Sequence, residues 1–425
     1  MRNRYLDLLR ALAVVRVVVY HVTGWATMTL VFPAMSVMFA LAGSLMAASL
    51  HRFGTAAVGR RLRRLLPSFW ALGAILVPAM LITGLPFTSE LLFWLFPVAD
   101  PPRYGWGAPV LGPIWYLRNY LWFVLVSPLA LWLFRRFPLP TLLAPYALTA
   151  AIELGLYPNP PMVVQQFGLY FGAWMLGFAH QAGMLRRLAN RVLWPTAIAL
   201  VAAGGWWNLT QPGTKGLDLN GNPLANALWS AGVILVVLGR EPSRTAWIDR
   251  NAFISRMITL TNRRALTVYL WHMVFVVALT PLVDVVGWSH QNLLGLAIRI
   301  ALVFALLGVV ILLVGWVEDV AARRRPELIP GFGRRAAATS AGTAATSAEV
   351  AATSAGAAAT SAEVAATSAG AAATSAEVAA VPEAAQPAVG PADHAGTGRK
   401  QPVVPAPRSA ENERMQNESV DSNAR

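Results

Sequence analysis

The chain has no cysteine among its 425 residues. That absence excludes disulfides, Cys-based metal sites and a thiol acyl-enzyme intermediate. It does not locate the protein, because a membrane-embedded chain needs no disulfides. Charge is also scarce: charged residues make up 13% of the chain against 56% hydrophobic, and only 20 residues are Asp or Glu. A composition so poor in charge, with several apolar runs long enough to cross a bilayer, reads as a polytopic membrane protein.

A hydrocarbon core about 30 Å thick requires roughly 20 mostly apolar helical residues. About ten segments approach this, near residues 8–30, 32–50, 65–84, 114–134, 141–156, 162–180, 192–209, 224–239, 265–286 and 293–316. The fifth and eighth are short. The expected fold is therefore all-α, with about ten transmembrane helices. The first segment is long and retains internal cations without a convincing small-residue cleavage site, so it reads as a retained helix rather than a signal peptide.

The net charge of +14 does not point to nucleic acid, because the cations fall in alternate loops between apolar segments. Arg2, Arg4, Arg52, Arg60, Arg61, Arg63, Arg64, Arg135, Arg136, Arg186, Arg187 and Arg191 share one side with the cations from Arg240 to Arg264 and from Arg323 to Arg325. The opposite loops contain little beyond Arg103 and Lys215. The positive-inside rule then predicts both termini in the cytoplasm of a multi-pass plasma-membrane protein.

After Arg335 the composition shifts to Ala, Thr, Ser, Gly and Glu, and TSAEVAATSAGAAA recurs from Thr346. Its seven-residue half-period offers too little apolar area for a stable coiled-coil seam. The chain is expected to divide into a membrane domain at 1–332 and a disordered low-complexity tail at 333–425.

Within the first segment, RALAVVRVVVYH places Arg10 and His21 eleven positions apart. Eleven steps of about 100° return to nearly the same helix face, roughly 16 Å further along. Ionisable groups in a lipid-spanning helix are costly and usually face a protein interior or a water-filled cavity. Asp7 shares that face and is closer to Arg10 than to His21, so an Asp7 to Arg10 pair is expected. Arg16 points away from it.

GRRLRRLLP sets Arg60, Arg61, Arg63 and Arg64 before Pro67, where guanidinium groups can bind phosphates in pairs of hydrogen bonds or simply set topology. GPIWYLRNYLWFVLVSP carries Trp115 and Pro128, with aromatics that read as interfacial anchors. VYLWH places His272 about two turns inside another helix. Glu153 lies at a depth in its segment similar to that of His21, which makes it a candidate partner for the histidine or a carboxylate that binds the acceptor.

Together these motifs resemble the integral-membrane acyltransferase family 3, across most of residues 1–330. The resemblance rests on YLDLLRALAVVRVVVYH, VMFALAGSLMA, RRLRRLLP, the Trp115 to Pro128 spacing and VYLWH. It implies an acyl-CoA donor, for example acetyl-CoA, taken from the cytoplasm as co-substrate without a resident cofactor or metal. The acyl group goes to a hydroxyl of a carbohydrate, lipid or secondary-metabolite acceptor at or beyond the membrane. It also implies Arg10 and His21 as the paired essential residues, with His21 as general base. Arg61, Arg64, Asp7, Trp115, His272 and Glu153 complete the candidate site. The chain departs from the family pattern at Asn119, at Ala42-Gly43 and at Ser36. A transporter for an acylated or acidic metabolite is the alternative, since buried polar residues also serve translocation paths.

Overall fold

The computed structural model describes residues 3–213, 215–242, 245–286 and 292–332. The chain divides into two units, Met1–Ala344 and Ala345–Arg425. The second unit, and with it the expected disordered tail and its boundary after residue 332, lies outside the described residues.

The described chain is helical, with one isolated bridge between Gly213 and Gly216 and no named strand. The principal helices are α1 (Arg4–Thr23), α2 (Ala34–Phe53), α3 (Ala56–Ile82), α4 (Ile114–Arg136), α5 (Pro138–Glu153), α6 (Gly172–Gln181), α7 (Asn190–Thr210), α8 (Pro223–Gly239), α9 (Ala252–Arg263), α10 (Ala265–Ala278), α11 (Leu293–Val314) and α12 (Trp316–Ala321). A helix occupies each of the ten apolar segments. Among the described residues, six helical stretches, two of them counted across a short break, are long and apolar enough to cross a membrane: Thr27–Phe53, Ala56–Ile82, Ile114–Arg136, Asn190–Thr210, Ala265–Leu282 and Leu293–Val314. The protein is thus a multi-pass membrane protein.

Local chemistry explains where the boundaries differ from the apolar pattern. The Asn3 side chain caps α1 by accepting from the N–H groups of Tyr5 and Leu6. The same helix ends at Gly24, in the left-handed region at φ 67°, a conformation glycine adopts without strain. The first apolar segment is therefore not one helix to residue 30, and a separate turn, Thr27–Val31, follows. α3 begins at Ala56 and runs through Pro67 and Pro78, because neighbouring helices can satisfy or shield the backbone that proline frees. The ninth segment breaks into Ala265–Ala278 and Thr280–Val286, with Pro281 in the first turn of the second piece, where its missing N–H costs little.

Small residues set the closest approach in the core. A Cβ on Gly43 would lie 2.3 Å from the Trp174 carbonyl oxygen, and one on Gly177 would lie 2.1 Å from that of Ala40. α2 and α6 consequently pack backbone against backbone, as small residues allow in membranes. Trp174 then reaches α4, donating through Nε1 to Ser127 Oγ at 3.1 Å.

On the arginine-rich side, α12 is tied to the start of α10. Asp319 accepts from Arg264 at 2.8 Å and from Arg263 at 2.7 Å, while Arg264 also donates to the Glu327 carbonyl. Burial pushes the Asp319 carboxyl up, but the hydrogen bonds from the two arginines and from the Glu327 N–H outweigh it and hold the group below the usual aspartate range. Its stabilisation is present above the unfolded aspartate pKa of about 3.9 and is lost only as pH falls through the lower folded value. Asp319→Asn leaves the fully buried Arg264 without its carboxylate. The expected cost is about 3–5 kcal/mol, read as a lower unfolding temperature in detergent; an unchanged transition would remove this pair from the account of stability.

Candidate active site

Two cavities approach one another at Tyr269, which lines both. The smaller, about 160 Å³, opens among Arg10, Arg61, Arg64, Tyr120, Asn262 and Glu318. The larger, about 350 Å³, contains His21 together with Arg16, Arg103, Trp115, Arg118 and Lys215. α1 contributes to both: the spacing that sets Arg10 and His21 on one face delivers them to different chambers.

Arg10 is held from two directions. Its Nη1 lies 3.7 Å from Asp7 Oδ1, the expected pair, and donates to Asn262 Oδ1 at 3.3 Å. Asn262 in turn donates to the Asp7 carbonyl oxygen at 2.7 Å, which fixes α9 against α1. Arg61 donates to Tyr120 Oη at 3.4 Å and to Ser49 Oγ at 3.3 Å. Glu318 accepts from the Thr267 N–H at 2.6 Å and from its hydroxyl at 2.5 Å. Burial raises its carboxyl pKa, opposed by those Thr267 hydrogen bonds and by Arg264 and Arg64. The chamber therefore presents three guanidinium groups, a geometry suited to phosphates.

The His21 ring is positioned by its own helix and by α10. His21 Nδ1 lies 2.8 Å from the Val17 carbonyl oxygen and 3.3 Å from His272 Nε2. His272 Nδ1 lies 2.6 Å from the Tyr269 carbonyl oxygen. A carbonyl can only accept, so in the neutral rings these bonds assign the protons to Nδ1 of both histidines. His272 Nε2 then accepts from His21 Nδ1–H, and His21 Nε2 keeps the free lone pair. Of the two histidines, His21 is the one that lines the larger cavity.

His272 is fully buried and lines neither cavity, so the structure places it behind His21. Trp115 lines the larger cavity and stacks on Tyr170 at a centroid distance of 5.1 Å. Glu153 is the last residue of α5, half-buried, and lines neither cavity. α5 packs on the 167–171 segment and on α4, α6 and α8, and no hydrogen bond or ion pair joins Glu153 to His21 among the described residues. Arg16, expected to point away, lines the His21 cavity, since the cavity wraps around the end of α1.

Sequence reasoning passed over three cavity residues, Arg103, Lys215 and Arg118. Arg103 and Lys215 are the exceptional cations of the loops opposite the arginine-rich side, a signal that could have found them. Arg118, within the GPIWYLRNYLWFVLVSP segment, is buried and paired with Asp100 at 2.6 Å. A further polar chain, Ser44 Oγ to His180 Nδ1 at 2.9 Å and His180 Nε2 to Glu241 at 2.8 Å, has the order of a nucleophile, base and carboxylate. It sits in the tight α2–α6 contact and lines neither cavity, and Glu241 also accepts from Asn3 at 3.0 Å. It fastens α1, α2 and α6 together.

These features define a multi-pass helical membrane protein with two polar chambers that meet at Tyr269, the larger lined by a histidine whose partner ring is buried behind it. Residues 3–316 match the family model described as an acyltransferase domain, that of acyltransferase family 3. The chain belongs to this family, whose membership makes it a membrane acyltransferase. No curated protein and no solved structure matches it.

Proposed function

We propose that the protein is an O-acyltransferase of the plasma membrane that takes an acyl group, such as acetyl, from cytoplasmic acyl-CoA. The acceptor is a hydroxyl of a carbohydrate, lipid or secondary metabolite. The observation that carries this reading is that His21 lines the larger cavity while its Nδ1 lies within hydrogen-bond distance of the Val17 carbonyl oxygen and of His272 Nε2.

Acyl-CoA enters from the arginine-rich side, with its phosphates on Arg10, Arg61 and Arg64. The roughly 16 Å of helix between Arg10 and His21 suits an extended pantetheine arm, which must pass Tyr269. The acceptor binds in the larger cavity. His21 Nε2 removes its hydroxyl proton as the oxygen attacks the thioester carbonyl. The carbon–sulfur bond breaks, and the CoA thiolate recovers the proton from the imidazolium. No acyl-enzyme is required. In this reading about ten helices span the bilayer and both termini face the cytoplasm.

The test is free-thiol release by the purified chain in lipid, given acetyl-CoA with or without an envelope extract of glycans and lipids. Release that depends on the extract supports acyl transfer. No release with any extract fraction, from protein confirmed as folded, rejects it.

A further inference from the structure

The larger cavity carries more positive charge than its neighbours neutralise. Its lining includes four cations, Arg16, Arg103, Arg118 and Lys215, against the single carboxylate Asp100. Asp100 is spent on Arg118. Arg16 donates through Nε to the Met28 carbonyl oxygen at 3.2 Å and lies over Tyr20 at 4.9 Å. Asp218, which is not among the lining residues, accepts from Tyr20 Oη at 2.5 Å and from the Asn220 N–H at 2.9 Å, and its charge also acts on Arg16. Among the described residues, this leaves Arg103 and Lys215 as the lining cations without a carboxylate counterpart.

Arg103 and Lys215 come from different loops, between α3 and α4 and between α7 and α8, and both are exposed. They are also the cations that depart from the charge asymmetry of the loops. Topology alone disfavours cations there, yet both converge on the cavity that holds His21. Neutral hydrogen-bonding groups, Gln166 and Asn220, share the wall. Cations lining a cleft concentrate an oppositely charged ligand and raise its rate of entry.

We infer that the acceptor is an anionic hydroxyl compound, with a carboxylate or phosphate drawn in by Arg103 and Lys215 and seated near Arg16 while its hydroxyl meets His21. This rests on the acyl-transfer reading and specifies its acceptor. Its chemistry is shared by acidic saccharides in solution and by lipid headgroups.

The test uses the full chain in neutral nanodiscs. Binding is measured without acyl-CoA by equilibrium dialysis of glucuronic acid, glucose 1-phosphate and methyl glucoside; phosphatidylinositol, against a galactosyl diacylglycerol, is supplied in the disc and scored by displacement of glucuronic acid. Thiol release with acetyl-CoA is measured for each. The expected result is about tenfold tighter binding of the anionic probes, weakened by salt and lost in the double variant Arg103→Gln/Lys215→Gln. Both positions are exposed loop residues, and the variant's elution profile checks that it folds. Preference for the soluble anions over phosphatidylinositol assigns a saccharide source; the reverse assigns a lipid one.

Thiol release equally supported by anionic and neutral probes, without preferential anion binding, overturns the inference and leaves acyl transfer standing. An anion preference unchanged in the double variant also overturns it. Anion binding without thiol release from acetyl-CoA or from longer acyl-CoA overturns the acyl-transfer reading, and with it the assignment of this cavity to an acceptor.

Discussion

His21→Gln is expected to lower kcat by about 10³-fold, within the range that general-base catalysis supplies, while leaving KM for acyl-CoA nearly unchanged. Glutamine keeps hydrogen-bonding capacity near the Val17 carbonyl oxygen and His272 but has no titratable nitrogen. The loss would therefore fall on the proton transfer rather than on donor binding. His272→Gln should cost less, also in kcat, because that ring holds the tautomer of His21 and touches neither cavity. Steady-state rates of free-thiol release distinguish the two. If His272→Gln were the more damaging while His21→Gln turned over normally, the base would have to be reassigned to His272.

Arg10→Gln is expected to raise KM for acyl-CoA by about 10–100-fold with a much smaller change in kcat. A charge-assisted hydrogen bond contributes about 1.5–3 kcal/mol, and Arg10 lies in the chamber that also holds Arg61 and Arg64. Arg10 is oriented in advance by Asp7 and Asn262, so little ordering is needed when a phosphate arrives. The control is S-acetylpantetheine, which lacks the phosphates. Wild type and Arg10→Gln should use it with similar KM. A defect as large with S-acetylpantetheine as with acetyl-CoA would assign Arg10 to the packing of α1 against α9 instead.

The helices were legible because apolar runs and loop cations are local signals. α7 and α11 fall where hydropathy puts them, whereas the end of α1 depended on one glycine and the start of α3 on a proline that the bundle tolerates. The helix period also separated Arg10 and His21 in depth, which their two chambers reflect. What the period could not supply was the identity of neighbours. His272 is 251 residues from His21, and only the packing of α10 on α1 brings the rings together. Glu153 shows the converse, since it matches His21 in depth along its segment yet lines neither cavity. Arg16 was misread because a helical wheel places a side chain relative to its own axis, whereas a cavity enclosed by several elements can reach two faces of one helix.

The central claim is that the acyl group passes from a donor on the arginine-rich side to an acceptor on the His21 side. It is tested most directly in sealed proteoliposomes, with acetyl-labelled acetyl-CoA trapped inside and a hydroxyl acceptor confined outside. Both orientations of the chain are present, so correctly oriented molecules can work. The account predicts labelled ester in the outer medium, abolished by His21→Gln. Labelled ester formed only when donor and acceptor share one compartment, and never across the bilayer, would contradict it.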